Sequence, residues 1–167
     1  LPAGLTIADD GVITGQPSAT GNSTVQVKVT DANGKTASAS LQLKVTQESP
    51  FSDVPLDHPY YKEIAWMNSA GISTGWSDGT FRPSEPVARD AMAAFFYRFQ
   101  GEPAFTVPTT SPFNDVSTSQ QFFKEMAWMK DAGISSGWSD GTFRPFNQTA
   151  RDAMSAFMYR LAGSPAY

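Results

Sequence analysis

From Phe51 onward the sequence states one pattern twice. Phe51, Asp53, Trp66, Trp76, Arg89 and Arg98 recur as Phe113, Asp115, Trp128, Trp138, Arg151 and Arg160, each 62 positions later. Laid together without a gap, 51–105 and 113–167 agree at 33 of 55 positions. Self-similarity at a fixed step is the mark of an array in which one supersecondary unit is stacked on the next. A unit this small cannot bury its apolar surface alone, and such arrays usually need about three units. Two copies leave surface over. It is expected to be covered either by a further copy, which one more step would start shortly beyond Tyr167, or by association of chains.

Each copy reads as helix, loop, helix. Asp57 and Ser119 hold equivalent positions and can accept a first-turn N–H, so they are the expected N-caps of the first helix. That helix should run to Ala70 and Ala132, ahead of Gly71 and Gly133, where a left-handed residue closes a helix. Tyr61, Ile64, Ala65 and Trp66, matched by Phe123, Met126, Ala127 and Trp128, give it a wide apolar face and place Trp66 and Trp128 in the core. In the second helix Met92, Phe95, Phe96 and Phe99 fall at i, i+3, i+4 and i+7, matched by Met154, Phe157, Met158 and Leu161, and Gly101 and Gly163 end it. The loop between is GISTGWSDGTFRP, then GISSGWSDGTFRP, a tighter match than the flanking helices show. Asp78-Gly79 and Asp140-Gly141 are turn dipeptides, so part of that match is backbone geometry.

Residues 1–46 lack this pattern. Val25, Val27 and Val29, then Leu41, Leu43 and Val45, alternate as half-buried strands do, and Asp31-Ala32-Asn33-Gly34 between them predicts a hairpin over 24–46. Leu5 to Ile7 and Val12 to Thr14 are shorter strand candidates. Residues 47–50 read as a linker ending in Pro50, and 106–112 join the copies, so the boundaries are 1–46, 51–105 and 113–167. The fold class is multidomain, β followed by α.

The bulk numbers exclude several functions. A net charge of −4 without a Lys/Arg cluster gives no footprint for nucleic acid. With no cysteine there is no disulfide, thiolate metal site or cysteine nucleophile. No apolar run is long enough for membrane insertion, and an export signal is expected outside these residues. His58, the single histidine, becomes Gln120 in the second copy, and no paired carboxylates at helical spacing suggest acid/base work. The chain reads as non-catalytic, with no cofactor and no metal.

Phe51-Ser52-Asp53-Val54, Gly71-Ile72-Ser73-Thr74-Gly75 and Asp78-Gly79-Thr80-Phe81-Arg82-Pro83, each with its second-copy equivalent, resemble the S-layer homology (SLH) family. The resemblance covers about two-thirds of the chain. It implies a secreted protein held non-covalently at a bacterial cell surface by cell-wall polysaccharide, commonly through three repeats. The partners implied are an acidic wall polysaccharide and a third repeat or other domains of a parent chain, which could be a secreted hydrolase. One departure stands out. Where the family's second helix opens I-T-R-A-E, this chain has Val87-Ala88-Arg89-Asp90-Ala91 and Thr149-Ala150-Arg151-Asp152-Ala153. The arginine is kept while the residues of a capping box are alanine, so the cap is expected upstream, from Ser84 and Asn147. Leu1-Pro2-Ala3-Gly4-Leu5-Thr6-Ile7 and Gly11 to Pro17 resemble immunoglobulin-like domains of bacterial surface proteins, which implies part of a β-sandwich acting as a spacer.

Eight residues are candidate ligand contacts. Trp76 and Trp138 either lid the core or stack on a sugar face. Arg89 and Arg151 either hold an acidic group of the polymer or pair with Asp53 and Asp115. Asp78 and Asp140 are turn formers that could also meet ligand, and Asp53 and Asp115 either contact ligand or cap a local turn. The competing reading is a scaffold that packs against a catalytic domain of the parent enzyme.

Overall fold

The computed structural model describes residues 1–166, so Tyr167, the expected last residue of the second copy, lies outside it. The chain forms two compact units, Leu1–Glu48 and a second from Ser49 onward.

In the first unit β1 (Leu5–Ile7) pairs antiparallel with β2 (Ile13–Gly15), and β3 (Gly21–Thr30) with β4 (Thr36–Val45). In the long hairpin Val25 faces Leu41 and Thr30 faces Thr36. Asp31 makes its turn: the carboxylate accepts the amides of Asn33 and Lys35 at 2.9 and 2.8 Å. An Asx carboxylate that captures following amides in this way replaces the ladder where the chain reverses. Residues 1–46, expected to be part of a β-sandwich, form strands and hairpins but no sandwich. They make two separate two-stranded sheets without contacts between them. Val25 is the one buried residue of this unit, while Ile7, Val12, Val29 and Leu41 are exposed. A sandwich needs two sheets with their apolar faces on one core, and neither hairpin here is covered by another sheet.

The second unit holds α1 (Tyr61–Ser69), α2 (Arg89–Phe99), α3 (Phe123–Asp131) and α4 (Arg151–Leu161). The helix ends follow the glycines, with Gly71 and Gly133 at φ 70° and 69°. The starts do not follow the expected caps. α1 and α3 begin after Tyr60 and Phe122, neither with a side-chain cap. Residues 55–61 instead form successive turns, His58 donating to the Pro55 carbonyl at 3.0 Å and Tyr61 to that of His58 at 2.9 Å. Pro59 has no amide to cap, and the Tyr60 amide that Asp57 could have taken goes to His58 instead. His58 is half-buried, and its Nδ1 accepts the Tyr60 amide at 3.1 Å.

The core is shared between copies. Phe51, Val54 and Ile64 form a small cluster in the first. The large cluster joins Met92, Phe96 and Tyr97 of α2 to Phe113, Met126, Trp128 and Phe143 of the second copy. α2 packs on α3, with the Tyr97 and Trp128 rings edge-on at 5.2 Å and the Lys124 Nζ 4.7 Å from the Tyr97 ring centre. Full burial of one such side chain contributes about 1.5–3 kcal/mol. Equivalent residues therefore differ: Trp128 is 7% exposed but Trp66 52%, and Tyr97 2% but Tyr159 42%. The expectation that Trp66 is core is overturned, because a first helix is covered by the second helix of the repeat before it and α1 has none there.

The caps of the second helices are corrected too. Ala88 precedes α2 without a side-chain cap bond. The Arg89 and Asp90 amides donate to the Asn147 and Pro145 carbonyls, each at 3.0 Å, and the Thr149 amide returns a bond to the Val87 carbonyl at 3.1 Å. Ser84 takes no part. Asn147 contributes its main-chain carbonyl, and to the helix of the other copy.

Candidate binding cleft

Each loop is held from beneath by a carboxylate. Asp53 accepts the Phe81 and Arg82 amides at 2.8 and 2.7 Å, and Asp115 accepts those of Phe143 and Arg144 at 2.7 and 2.8 Å. Arg82 and Arg144 take left-handed backbone, φ 60° and 58°, which costs a non-glycine residue about 1–3 kcal/mol. Hydrogen bonds from both amides to the carboxylate act against that strain. The Phe81 amide holds the Asp53 carboxyl below its ordinary range. Gly75 and Gly137 complete the frame. At Gly75 (φ 68°) a Cβ would lie 2.4 Å from a ring carbon of Phe51 and 2.5 Å from the Thr80 carbonyl oxygen. Asp53 and Asp115 thus serve the loop.

Above the clamp is a ladder of four side chains. Asp78 Oδ1 accepts from the Thr80 amide and hydroxyl at 3.0 and 2.6 Å, and Arg82 Nη2 donates to Asp78 Oδ2 at 3.0 Å. The Arg82 guanidinium carbon lies 4.1 Å from the Trp76 ring centre. Asp140, Thr142, Arg144 and Trp138 repeat this, with the guanidinium 4.0 Å from the indole. The threonine hydroxyls, with the arginines beside them, bring the Asp78 and Asp140 carboxyls down to about 2. Trp76 and Trp138 are 53% and 49% exposed, so they do not lid the core. Arg82 and Arg144 escaped the candidate set. Their signal was their place in the doubled loop, four residues after an aspartate.

The candidate arginines part company. Arg89 is 6% exposed, and its Nε donates to the Phe143 carbonyl at 2.8 Å. Its guanidinium carbon lies 4.8 Å from the Phe143 ring centre and 5.4 Å from that of Phe157. Burial, then the nearby Arg144, pushes its pKa below the ordinary value. Among the described residues the ion pairs are Arg82 with Asp78 and Glu85, and Arg144 with Asp140. Arg89 is in none of these pairs; the Asp115 charge acts on it, without a direct ion pair, and only partly offsets the effect of burial and of Arg144. It lines a cleft of about 430 Å³ with Trp138, Asn147, Gln148 and Asp152. Arg151 is exposed and lines neither this cleft nor the one that holds Trp76. A second cleft, of about 620 Å³, holds Trp76, Arg82, Asp90, Arg98, Phe122 and Phe146. Burial raises the Asp90 carboxyl there above its ordinary range.

The structure thus brings Arg89 and Trp138 together across the repeat boundary and leaves Arg151 and Trp76 apart. Chemically, a desolvated guanidinium with donors to spare can hold an anionic group, and an exposed indole can stack on an apolar ring face.

A doubled helix–loop–helix with clamped loops and a shared core defines a tandem-repeat module. The chain belongs to the S-layer homology domain family, which matches residues 50–93 and 112–154, while residues 1–46 match the "Putative Ig domain". It is similar to Cell surface glycoprotein 1 of Acetivibrio thermocellus, 29% identical over 67% of this chain and 5% of the relative. It is also similar to a cell surface protein of Thermoanaerobacter kivui, 27% identical over 69% of this chain and 16% of the relative. An endoglucanase of Bacillus sp. strain KSM-635 is 30% identical over 74% of this chain and 13% of the relative. The chain spans between a twentieth and a sixth of the length of these relatives.

Proposed function

We propose that this chain is the non-catalytic anchoring module of a secreted protein, holding it at the bacterial cell surface by gripping an acidic wall polysaccharide between its repeats. Membership of the S-layer homology family and the cell-surface relatives support the anchoring role. The observation that carries the ligand class is Arg89: a buried guanidinium with one nitrogen committed to Phe143, no direct ion pair among the described residues, and an exposed tryptophan in the same cleft. A carboxylate or phosphate on the polymer supplies the missing partner, and Trp138 carries the adjoining sugar. The repeats occupy 51–105 and 113–167, joined by 106–112. Residues 1–46, an immunoglobulin-like domain, act as a spacer.

Co-sedimentation with purified cell walls tests this reading. The wild-type chain should pellet, and Trp138→Ala should pellet several-fold less at unchanged stability, because that side chain is half in solvent. If the wild type remains in the supernatant, or the variant pellets equally, the reading is wrong.

A second reading has its own support. The exposed Trp66, Phe99 and Tyr60, with the likeness to an endoglucanase, fit a scaffold that packs against a catalytic domain of a parent enzyme. It predicts no pelleting, and a lower melting temperature for the parent enzyme when this segment is removed.

A further inference from the structure

The turn between β3 and β4 carries Asn33-Gly34, and of the five asparagines in the chain Asn33 alone precedes glycine. Both residues are exposed, and the Asn33 carboxamide takes no partner among the described residues. Gly34 has left-handed backbone, φ 80°, and a Cβ placed on it would meet nothing within 4 Å. No side chain therefore shields the Gly34 nitrogen, and the freedom of glycine lets it swing towards the carboxamide of the residue before it. What restrains it is Asp31. The Asp31 carbonyl accepts the Gly34 amide at 3.0 Å, and the Asp31 amide donates to the Lys35 carbonyl at 2.8 Å. Its Oδ1 accepts the Asn33 and Lys35 amides at 2.9 and 2.8 Å.

We propose that Asn33 is a site of spontaneous modification, converted by water to aspartate and isoaspartate at a rate that Asp31 sets. The Gly34 nitrogen gives its proton to hydroxide and attacks the Asn33 side-chain carbonyl carbon. The new N–C bond closes a succinimide ring while the carboxamide C–N bond breaks, and the departing nitrogen takes a proton from water and leaves as ammonia. Water then opens the ring. Breaking the new bond gives aspartate, and breaking the original main-chain bond gives isoaspartate, whose chain runs on through the side-chain carbon. Nothing is oxidised or reduced. The product sets a second carboxylate beside that of Asp31, and like charges repel. Isoaspartate also lengthens the main chain by a methylene, which draws the Gly34 and Lys35 amides off Asp31 and opens the hairpin from its tip, where Thr30 faces Thr36.

The other positions that could close such a ring are held. Asn22 lies in β3 opposite Lys44, and Asn68 in α1, where ladder and helix fix the backbone. Asn114 donates its Nδ2 to the Asp140 carbonyl at 3.1 Å, and the Asn147 carbonyl is bonded to the Arg89 amide. Asp78-Gly79 and Asp140-Gly141 can close the same ring by losing water, but each carboxylate is bonded by a threonine at one oxygen and an arginine at the other. Both stay ionised down to about pH 2 and so are poor targets for a nucleophile. The modification is independent of what the clefts bind.

Peptide mapping by mass spectrometry on the whole chain, held for weeks in mildly alkaline buffer with no enzyme added, tests the proposal. Asn33 should gain the mass difference of oxygen over NH, with isoaspartate the larger product, while Asn22, Asn68, Asn114 and Asn147 keep their mass. Asp31→Ala, which frees the turn, should convert several-fold faster, and Asn33→Gln should abolish the gain. A synthetic peptide of residues 29–37, with no fold to restrain it, gives the upper bound. Should Asp31→Ala lose the hairpin, Asp31→Ser, which keeps a side-chain acceptor, must fall between the wild type and that peptide. An Asn33 still unchanged in the folded chain once the peptide has fully converted overturns the proposal. So does a gain shared equally with Asn22 and Asn68, and an Asp31→Ala chain no faster than the wild type overturns the part given to Asp31.

Discussion

Arg89 reaches across the repeat boundary to Phe143, its Nε 2.8 Å from that residue's carbonyl oxygen and its guanidinium stacked on the same residue's ring. The contact joins the start of α2 to the loop of the next copy, so one side chain closes the junction and stands at the rim of the cleft. Removing it leaves a buried carbonyl unpaired, at a cost of roughly 1–3 kcal/mol. Arg89→Ala should lower the stability of the helical unit by that amount. Arg151→Ala, in solvent, should change it by less than about 0.5 kcal/mol. Urea denaturation of both variants checks this, and equal losses would contradict the asymmetry.

The clamp beneath the loop should be as sensitive. Gly137→Ala places a Cβ 2.7 Å from the Thr142 carbonyl oxygen and 2.8 Å from a Phe113 ring carbon, on backbone where strain alone costs about 1–3 kcal/mol. Asp115→Ala leaves the Phe143 and Arg144 amides without their acceptor. Each should destabilise the unit by about 2 kcal/mol or more, and Asp115→Asn, which keeps one acceptor oxygen, by less. Thermal melts that rank Asp115→Asn level with Asp115→Ala would argue against the clamp.

Acid should loosen the loops within a defined window. Asp78 and Asp140 fall from 3.8 to about 2 in the folded chain, first through the Thr80 and Thr142 hydroxyls. A carboxyl whose folded pKa lies below its unfolded one contributes its full stability above the unfolded pKa and loses it as pH falls through the folded one. Asp53 acts in the same direction and Asp90, raised by burial, in the opposite one. The urea midpoint should therefore drop between about pH 4 and pH 2, and less steeply in Asp78→Asn/Asp140→Asn. A variant that tracks the wild type would show that these carboxyls stabilise nothing.

What was legible in the sequence was local. The period fixed two copies of one unit, Asp31 through Gly34 fixed the hairpin turn, and Gly71 and Gly133 fixed the helix ends, because neighbouring residues settle each of these. What was hidden is settled elsewhere in the chain. Trp66 and Trp128 sit in near-identical local sequence, yet one is exposed and the other buried, because α2 packs on α3 and, among the described residues, no helix packs on α1 in the same way. The amides that open α2 bond to carbonyls of the other copy, which no capping pattern around Ala88 announces. Of the candidate sites, the sequence supplied the residue types but not the pairing. Arg89 meets the tryptophan of the following repeat, and that neighbour exists only once. The spacing of Asp78 and Arg82 was in view as a turn; that the arginine would lie on Trp76 and keep it at the surface was not. For 1–46, expected as part of a sandwich, the hairpins were legible but their cover was not, because strand alternation reports which face could be buried, not what covers it.

The four tryptophans offer the most direct test of the cleft, since each indole N–H gives its own signal in a nitrogen-15 correlation spectrum. On titration with soluble acidic fragments of cell-wall polysaccharide, the Trp138 signal should move furthest, Trp128, buried under Tyr97, should stay in place, and Arg89→Lys should weaken the shift. Fragments that bind while leaving Trp138 unmoved, or that move Trp66 instead, would contradict a binding cleft between the repeats.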